Sequence, residues 1–258
     1  MLATLYARAM ESRSPDPILR DPAAEAAVDR LDYDFGRLRV RGSVPRSVAI
    51  RATYLDGWTR EMLAAAPGAV VLHLGCGLDS RVDRVDPPPG VRWYDVDHPE
   101  VIELRRRVLP ARHAGYATIG SSVTDPGWLE QVPADGPVVM VAEGLTMYLT
   151  GHEVVDLLTR LTRRFPGGRL AFDADSRLGV RLLRFQPCVR ATGAALHWGI
   201  DDPRSLERRV PGLRLEAELA MLDVPEIARF PWPERIMVRA LNRFRAGRRL
   251  GRLLRYAF

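Results

Sequence analysis

The chain has 258 residues, 47% of them hydrophobic, and a mean hydropathy of −0.13, which allows a sizeable buried core and argues against a disordered chain. No apolar run approaches the roughly 20 residues of a membrane span, no signal-like segment opens the chain, and Cys76 and Cys188 have no metal-ligand spacing, so a cytoplasmic protein without membrane partner or structural zinc is expected. The net charge of +6, carried by 38 arginines and no lysine against 32 acidic residues, is not accompanied by RNP-type aromatics or recognition-helix grammar, so nucleic acid is not an expected partner.

Helices are predicted over residues 2–11 and 22–31, separated by "SRSPDPILRDP", whose prolines stop one helix and start the next. A third amphipathic helix covers 45–65 and ends at Pro67-Gly68. The pattern then alternates: strand 69–74, helix 78–85, strand 91–96, helix 99–108, strand 116–120, helix 126–131, strand 137–143, helix 151–165 and strand 169–175. A less regular stretch follows to about residue 200. The strands are short continuous apolar runs, the signature of an α/β protein whose mostly parallel sheet is covered on both faces. The arginine-rich stretches "ELRRRVL" (103–109) and "NRFRAGRRLGRLLRYAF" (242–258) read as solvated helix faces.

The chemistry-bearing signal begins in "VVLHLGCGLDSR", where a strand runs into a glycine turn at Gly75 and Gly77. Backbone N–H groups without flanking side chains suit a nucleotide-like ligand. A dinucleotide fingerprint needs a third glycine, but Ser80 stands there, which weakens the pyrophosphate reading. In "WYDVDHPEV", Asp97 follows Gly75 by 22 residues at the end of the next strand, where a carboxylate can accept hydrogen bonds from both ribose hydroxyls of an adenosine. An ordinary turn and a helix start at "DHPE" are the plain alternatives.

"LGCGLDSR", "YDVDHPEVIELRRRVL" and "VAEGLTMYLTGHEVVDLL", with "ARAMESRSPDPILRDPAAEAA" at the N-terminus, resemble the leucine carboxyl methyltransferase family, closest to its bacterial branch of polyketide O-methyltransferases. The resemblance spans residues 5 to about 175. It implies a class I, Rossmann-like fold that binds S-adenosyl-L-methionine and methylates a carboxylate or other oxygen. It implies that Gly75 and Gly77 back the methionine and ribose portions, that Asp97 holds the ribose hydroxyls, and that Glu143 contacts the cofactor. Arg51 is implied as the partner of the methionine carboxylate, and a guanidinium fork suits that group. Arg8 is a looser match for a basic residue that folds over the cofactor. Ser122 and Val123 stand where the family often has an Asp-Leu pair beside the adenine, and Asp125 is a candidate substitute.

Tyr148 is a possible lining residue of the methyl-transfer pocket, and no general base is assigned. His73 on a central strand reads as a satisfied core residue; His113, His152 and His197 fall in loops or on the surface. Asp79 reads as a helix cap or a cofactor contact, Arg177 and Arg181 as a solvated helical face, and Trp198 as core or substrate platform. A carboxylate acceptor is ionised at pH 7 and needs no base, whereas a phenol does. The expected function is therefore S-adenosyl-L-methionine-dependent O-methylation of a small, anionic acceptor, a carboxylate of a polyketide or related secondary metabolite. Phenol or enol methylation and a non-catalytic adenosine-ligand binding module are the alternatives. One domain is expected, with residues 1–67 as a helical cap, 68–175 as the cofactor-binding core, 176–200 as a lid and 201–258 completing the core.

Overall fold

The computed structural model describes residues 1–110, 113–191 and 193–258. The N-terminal third is helical: α1 Leu2–Ser12, α2 Pro22–Arg30 and α3 Val44–Ala64. Strands and helices then alternate through β1 Val70–Leu74, α4 Arg81–Val85, β2 Arg92–Asp97, α5 Pro99–Val108, β3 Tyr116–Gly120, β4 Val138–Ala142, α6 Gly151–Arg164 and β5 Gly168–Asp175. The remainder holds α7 Arg177–Leu183, α8 Pro187–Ala191, β6 Arg214–Ala220, α9 Trp232–Asn242, α10 Arg245–Arg248 and β7 Gly251–Ala257. The seven strands form one sheet in the order β3-β2-β1-β4-β5-β7-β6. Pairings among β1 to β5 are parallel; β7 runs antiparallel to both β5 and β6.

Local chemistry explains the helix starts. Asp21 accepts a hydrogen bond from the Ala24 N–H at 2.9 Å ahead of Pro22, which sits where a helix leaves its N–H unused. In α6, Thr150 and Glu153 form a capping box, and Val154, Leu157, Leu158 and Leu161 recur on one buried face. Burying each of these side chains contributes about 1.5–3 kcal/mol. The alternation of β1 divides the core into two layers. Val70, Leu72 and Leu74 pack with that face of α6, while Val71 packs with Leu55, Met62 and Leu63 of α3.

Several sequence expectations change. Residues 127–131 form a 3₁₀ helix rather than an α-helix, and α4 occupies only the second half of 78–85. Residues 176–200 contain the two short helices α7 and α8. The basic tail is not a solvated helix face throughout: Leu253, Leu254 and Tyr256 of β7 are fully buried because that strand lies between β5 and β6. Arg105, inside the other arginine run, also points inward and is 2% exposed. At the strand ends above β1 and β2, α1 packs against α2 and α3, and α8 joins it through the cluster of Ala7, Leu38, Val40 and Cys188.

Candidate active site

The glycine turn is built by β1 and β2 together. Gly75 and Gly77 have φ of 62° and 51°, in the left-handed region that L side chains rarely enter. The N–H groups of Gly75 and Cys76 both donate to the Val96 carbonyl, at 2.8 and 3.3 Å. Gly77 donates its N–H to Asp97 Oδ2 at 2.7 Å, and His98 donates to Asp97 Oδ1 at 2.8 Å. The two signals singled out in the sequence are therefore directly bonded. An ionised carboxylate offers about four lone-pair sites, so Asp97 keeps acceptor capacity for another ligand. A Cβ on Gly75 would lie 2.9 Å from Leu145 Cδ1, and one on Gly77 would lie 3.3 Å from Met1 Cγ.

Beneath this turn is a buried polar group that sequence reading missed. Arg105 of α5 donates to the Gly77 carbonyl at 3.2 Å and to the Tyr116 hydroxyl at 3.0 Å, and pairs with Asp95 of β2. Asp95 also accepts hydrogen bonds from Trp93 Nε1 at 2.8 Å and the Tyr116 hydroxyl at 2.6 Å, with His73 Nδ1 2.9 Å away. Burial works against the Asp95 carboxylate, but the Arg105 guanidinium, followed by His73, outweighs it and holds the group down at about 2. His73 is thus a buried, bonded residue, in agreement with its core reading. The available signal was the acidic Asp95 inside β2, between Tyr94 and Val96.

On the other side of β1, arginines from two helices converge on carboxylates at the strand tips. Arg51 of α3 donates through Nε to Glu143 Oε1 at 3.0 Å and through Nη1 to Asp173 Oδ2 at 2.8 Å. Among the described residues its Nη2 makes no hydrogen bond. Arg81 of α4 bridges Glu143 and Asp56, the latter at 2.8 Å. Burial opposes ionisation of Glu143, yet Arg51 and Arg81 prevail and hold it below the ordinary carboxylate range. Asp79 does not cap α4, whose N-cap is Ser80; it is buried and pairs with Arg84 at 2.8 Å. Arg8 of α1 donates to Asp21 at 3.0 Å and to the Leu78 carbonyl at 2.6 Å, fastening the N-terminal helix beside the glycine turn. Asp79 Oδ2 and Arg81 Nη1 are buried without a hydrogen-bond partner.

Asp173 and Asp175, both absent from the sequence-level site, lie on the same face at the end of β5. Asp173 is committed, since its second oxygen accepts the Gly144 N–H at 2.7 Å. Asp175 carries no hydrogen bond or ion pair on its carboxyl oxygens among the described residues. Burial, and next the neighbouring Asp173, push it up to about 7 against the pull of Arg51 and Arg252. Two acidic residues in "RLAFDAD" were the visible signal. Tyr148 is 38% exposed on the 3₁₀ turn Thr146–Tyr148; burial raises its hydroxyl, with Arg51 and Asp173 within electrostatic reach.

Ser122 and Val123 follow Ser121, whose N–H donates to the Asp97 carbonyl at 2.8 Å, and the other candidates lie farther off. Ser122 bonds Thr124 at 2.8 Å, Val123 is buried in the core, and Asp125 accepts the Gly127 N–H at 2.8 Å. Arg177 and Arg181 are exposed, Trp198 belongs to the core, His152 pairs with Asp156 on the surface, His113 is half-buried and His197 is exposed. Among the described residues there is no group of His, Cys, Asp or Glu able to hold a metal, and no helix is long and apolar enough to cross a membrane.

This strand order, with a glycine turn after the first strand and carboxylates at the tips of the second and fourth, defines the class I methyltransferase fold. A Streptomyces avermitilis DUF574 family protein superposes with a TM-score of 0.62 at 14% identity, over 99% of each chain. An S-adenosylmethionine-dependent methyltransferase from Mesorhizobium loti gives 0.54 at 13% identity, over 86% of this chain and 100% of the other. Residues 1–162 match the family described as leucine carboxyl methyltransferase, and the chain belongs to that family. It is 47% identical to the tetracenomycin polyketide synthesis O-methyltransferase TcmP of Streptomyces glaucescens, over all of this chain and 95% of the relative. It is also 36% identical to the S-adenosyl-L-methionine-dependent methyltransferase dpfgK of Gibberella zeae, over 100% and 94% of the two chains.

Proposed function

We propose that this protein is an S-adenosyl-L-methionine-dependent O-methyltransferase acting on a small anionic molecule, a carboxylate of a polyketide or related metabolite. The observation that carries the reading is the 47% identity with a polyketide O-methyltransferase along the whole chain. The residues present fit the cofactor on their own chemistry. Gly77, at a φ of 51°, presents backbone rather than a side chain at the turn, Asp97 has spare lone pairs for ribose hydroxyls, and Arg51 Nη2 is unengaged beside Gly144 for a carboxylate. Arg81 Nη1 is buried close by without a hydrogen-bond partner, while Asp79 Oδ2 is held by Arg81 Nη2 at 3.3 Å.

In this reading Gly75 and Gly77 back the methionine and ribose portions, Glu143 and Arg51 hold the methionine end, and Arg8 closes α1 over it. Ser122 and Val123 flank the adenine. When bound, the cofactor supplies an electrophilic methyl group. The chain's own task is to align an acceptor oxygen in line with that methyl and to exclude water. The N-terminal helices and residues 176–200 form the cover, and Tyr148 lines the pocket beneath it.

A second reading, methylation of a phenol, has one observation in its favour: Asp175 is an unpaired carboxyl poised near 7, suited to accept a phenolic proton. Mass spectrometry after incubation with a polyketide carrying both groups tests the choice. Gain of one methyl as a base-labile ester supports the carboxylate reading, and gain of an aryl methyl ether contradicts it.

A further inference from the structure

Helix α9 turns Val238 inward, and Asn242 at its end donates to the Leu222 carbonyl at 2.6 Å and to Asp223 at 2.8 Å. Glu234 also faces the body of the protein, with Oε1 2.8 Å from where a Cβ of Gly42 would stand. The opposite face is apolar and open: Trp232 is 67% exposed, Ile236 and Met237 55% each, and Phe244 just beyond the helix 68%. Trp232 and Ile236, four residues apart, share one outward face with Arg239 and Arg243, while Met237 is exposed at its edge and Phe244 follows the helix end. Isolated exposed apolar residues are ordinary, but a contiguous set with a polar rim marks an interaction surface.

The rim is cationic. Residues 232–249 contain six arginines and one acidic residue, the inward Glu234. Arg239, Arg243 and Arg245 are exposed and make no side-chain hydrogen bond or ion pair among the described residues. The hollow on this face is bounded by Ile236, Arg239, Ala240 and Arg243, all from α9 or the residue after it, so no second element contributes to its walls. A partner helix needs such a wall, whereas a planar surface does not. A second copy of the chain would bring two arginine-rich faces together.

We propose that the outward face of α9 docks the protein on an anionic phospholipid bilayer, with Trp232, Ile236, Met237 and Phe244 entering the headgroup region and Arg239, Arg243 and Arg245 meeting lipid phosphates. Such association is peripheral and combines apolar burial with attraction to anionic lipid, each arginine near the surface adding about fivefold to partitioning. It does not rest on the methyl-transfer reading.

The test is co-sedimentation of the full chain with phosphatidylcholine vesicles containing about a third phosphatidylglycerol, and with phosphatidylcholine alone. Binding to the anionic vesicles only, weakened about tenfold or more by Ile236→Asp and by Arg239→Gln with Arg243→Gln, is the expected result. All three positions are exposed, and unchanged thermal unfolding of the variants confirms that they fold. No binding to the anionic vesicles, or binding indifferent to both variants, overturns the proposal. So does a dimer in light scattering that Ile236→Asp dissociates, because the face then belongs to a second copy.

Discussion

Asp175 titrates near 7 without a partner, and that fixes the sign of its effect on stability. Its folded pKa lies above the unfolded value of about 3.9, so the native state holds an extra proton between roughly pH 4 and 7. Stability attributable to this group is fully present below that window and is lost as the pH rises through 7. Asp175→Asn should therefore raise the midpoint of thermal unfolding at pH 8 and change it little at pH 4, measured by calorimetry in matched buffers. The same variant separates the acceptors: ester formation on a carboxylate should survive it, whereas ether formation on a phenol should fall by about 10²-fold or more, as expected for loss of a general base. Asp97 has the simpler prediction. It bonds the Gly77 N–H and retains free acceptor sites, so Asp97→Ala should weaken S-adenosylhomocysteine binding by about tenfold or more in calorimetric titration. Unchanged affinity would remove the ribose contact from the account.

The glycine turn depends on elements behind it, through Arg105 of α5 and Asp95 of β2. Removing one partner of a fully buried ion pair leaves the other uncompensated, so Arg105→Ala or Asp95→Ala should each cost about 3–5 kcal/mol in denaturant unfolding. Because the Arg105 Nη1 also holds the Gly77 carbonyl, Arg105→Ala should in addition weaken cofactor binding. Much of the element pattern was legible in the sequence. β4 is an unbroken apolar run and β1 is one interrupted only by His73, and the starts of α2, α5 and α6 carry Pro22, Pro99 and the Thr150-Glu153 box. The end of the chain was less legible. β7 lies in an arginine-rich tail, and its place between β5 and β6 arises from a long-range antiparallel pairing with no local signature. The same limit applies to charge: sequence shows that Arg105, Arg81 and Arg84 are cationic, but only the packing of α3, α4 and α5 against the strand ends shows them buried on carboxylates. Gly75, Gly77 and Asp97 were found because a strand-turn-helix unit makes their positions local.

For the whole molecule, a net charge of +6 distributed through interior ion pairs as well as the surface separates two kinds of binding. Occupation of the site by the cofactor's product should stabilise the native state by mass action, about 2.7 kcal/mol at a hundredfold excess over Kd. Added salt should leave that affinity nearly unchanged but weaken attachment through the exposed arginines beside α9, because screening acts chiefly on solvent-exposed charges. The central claim, that this glycine turn and its carboxylates hold an S-adenosyl ligand, is tested most directly by isothermal titration of the full chain with S-adenosylhomocysteine, with NADH as the control. Saturable binding of S-adenosylhomocysteine with no heat from NADH is the expected result; binding of NADH, or of neither ligand, contradicts the account.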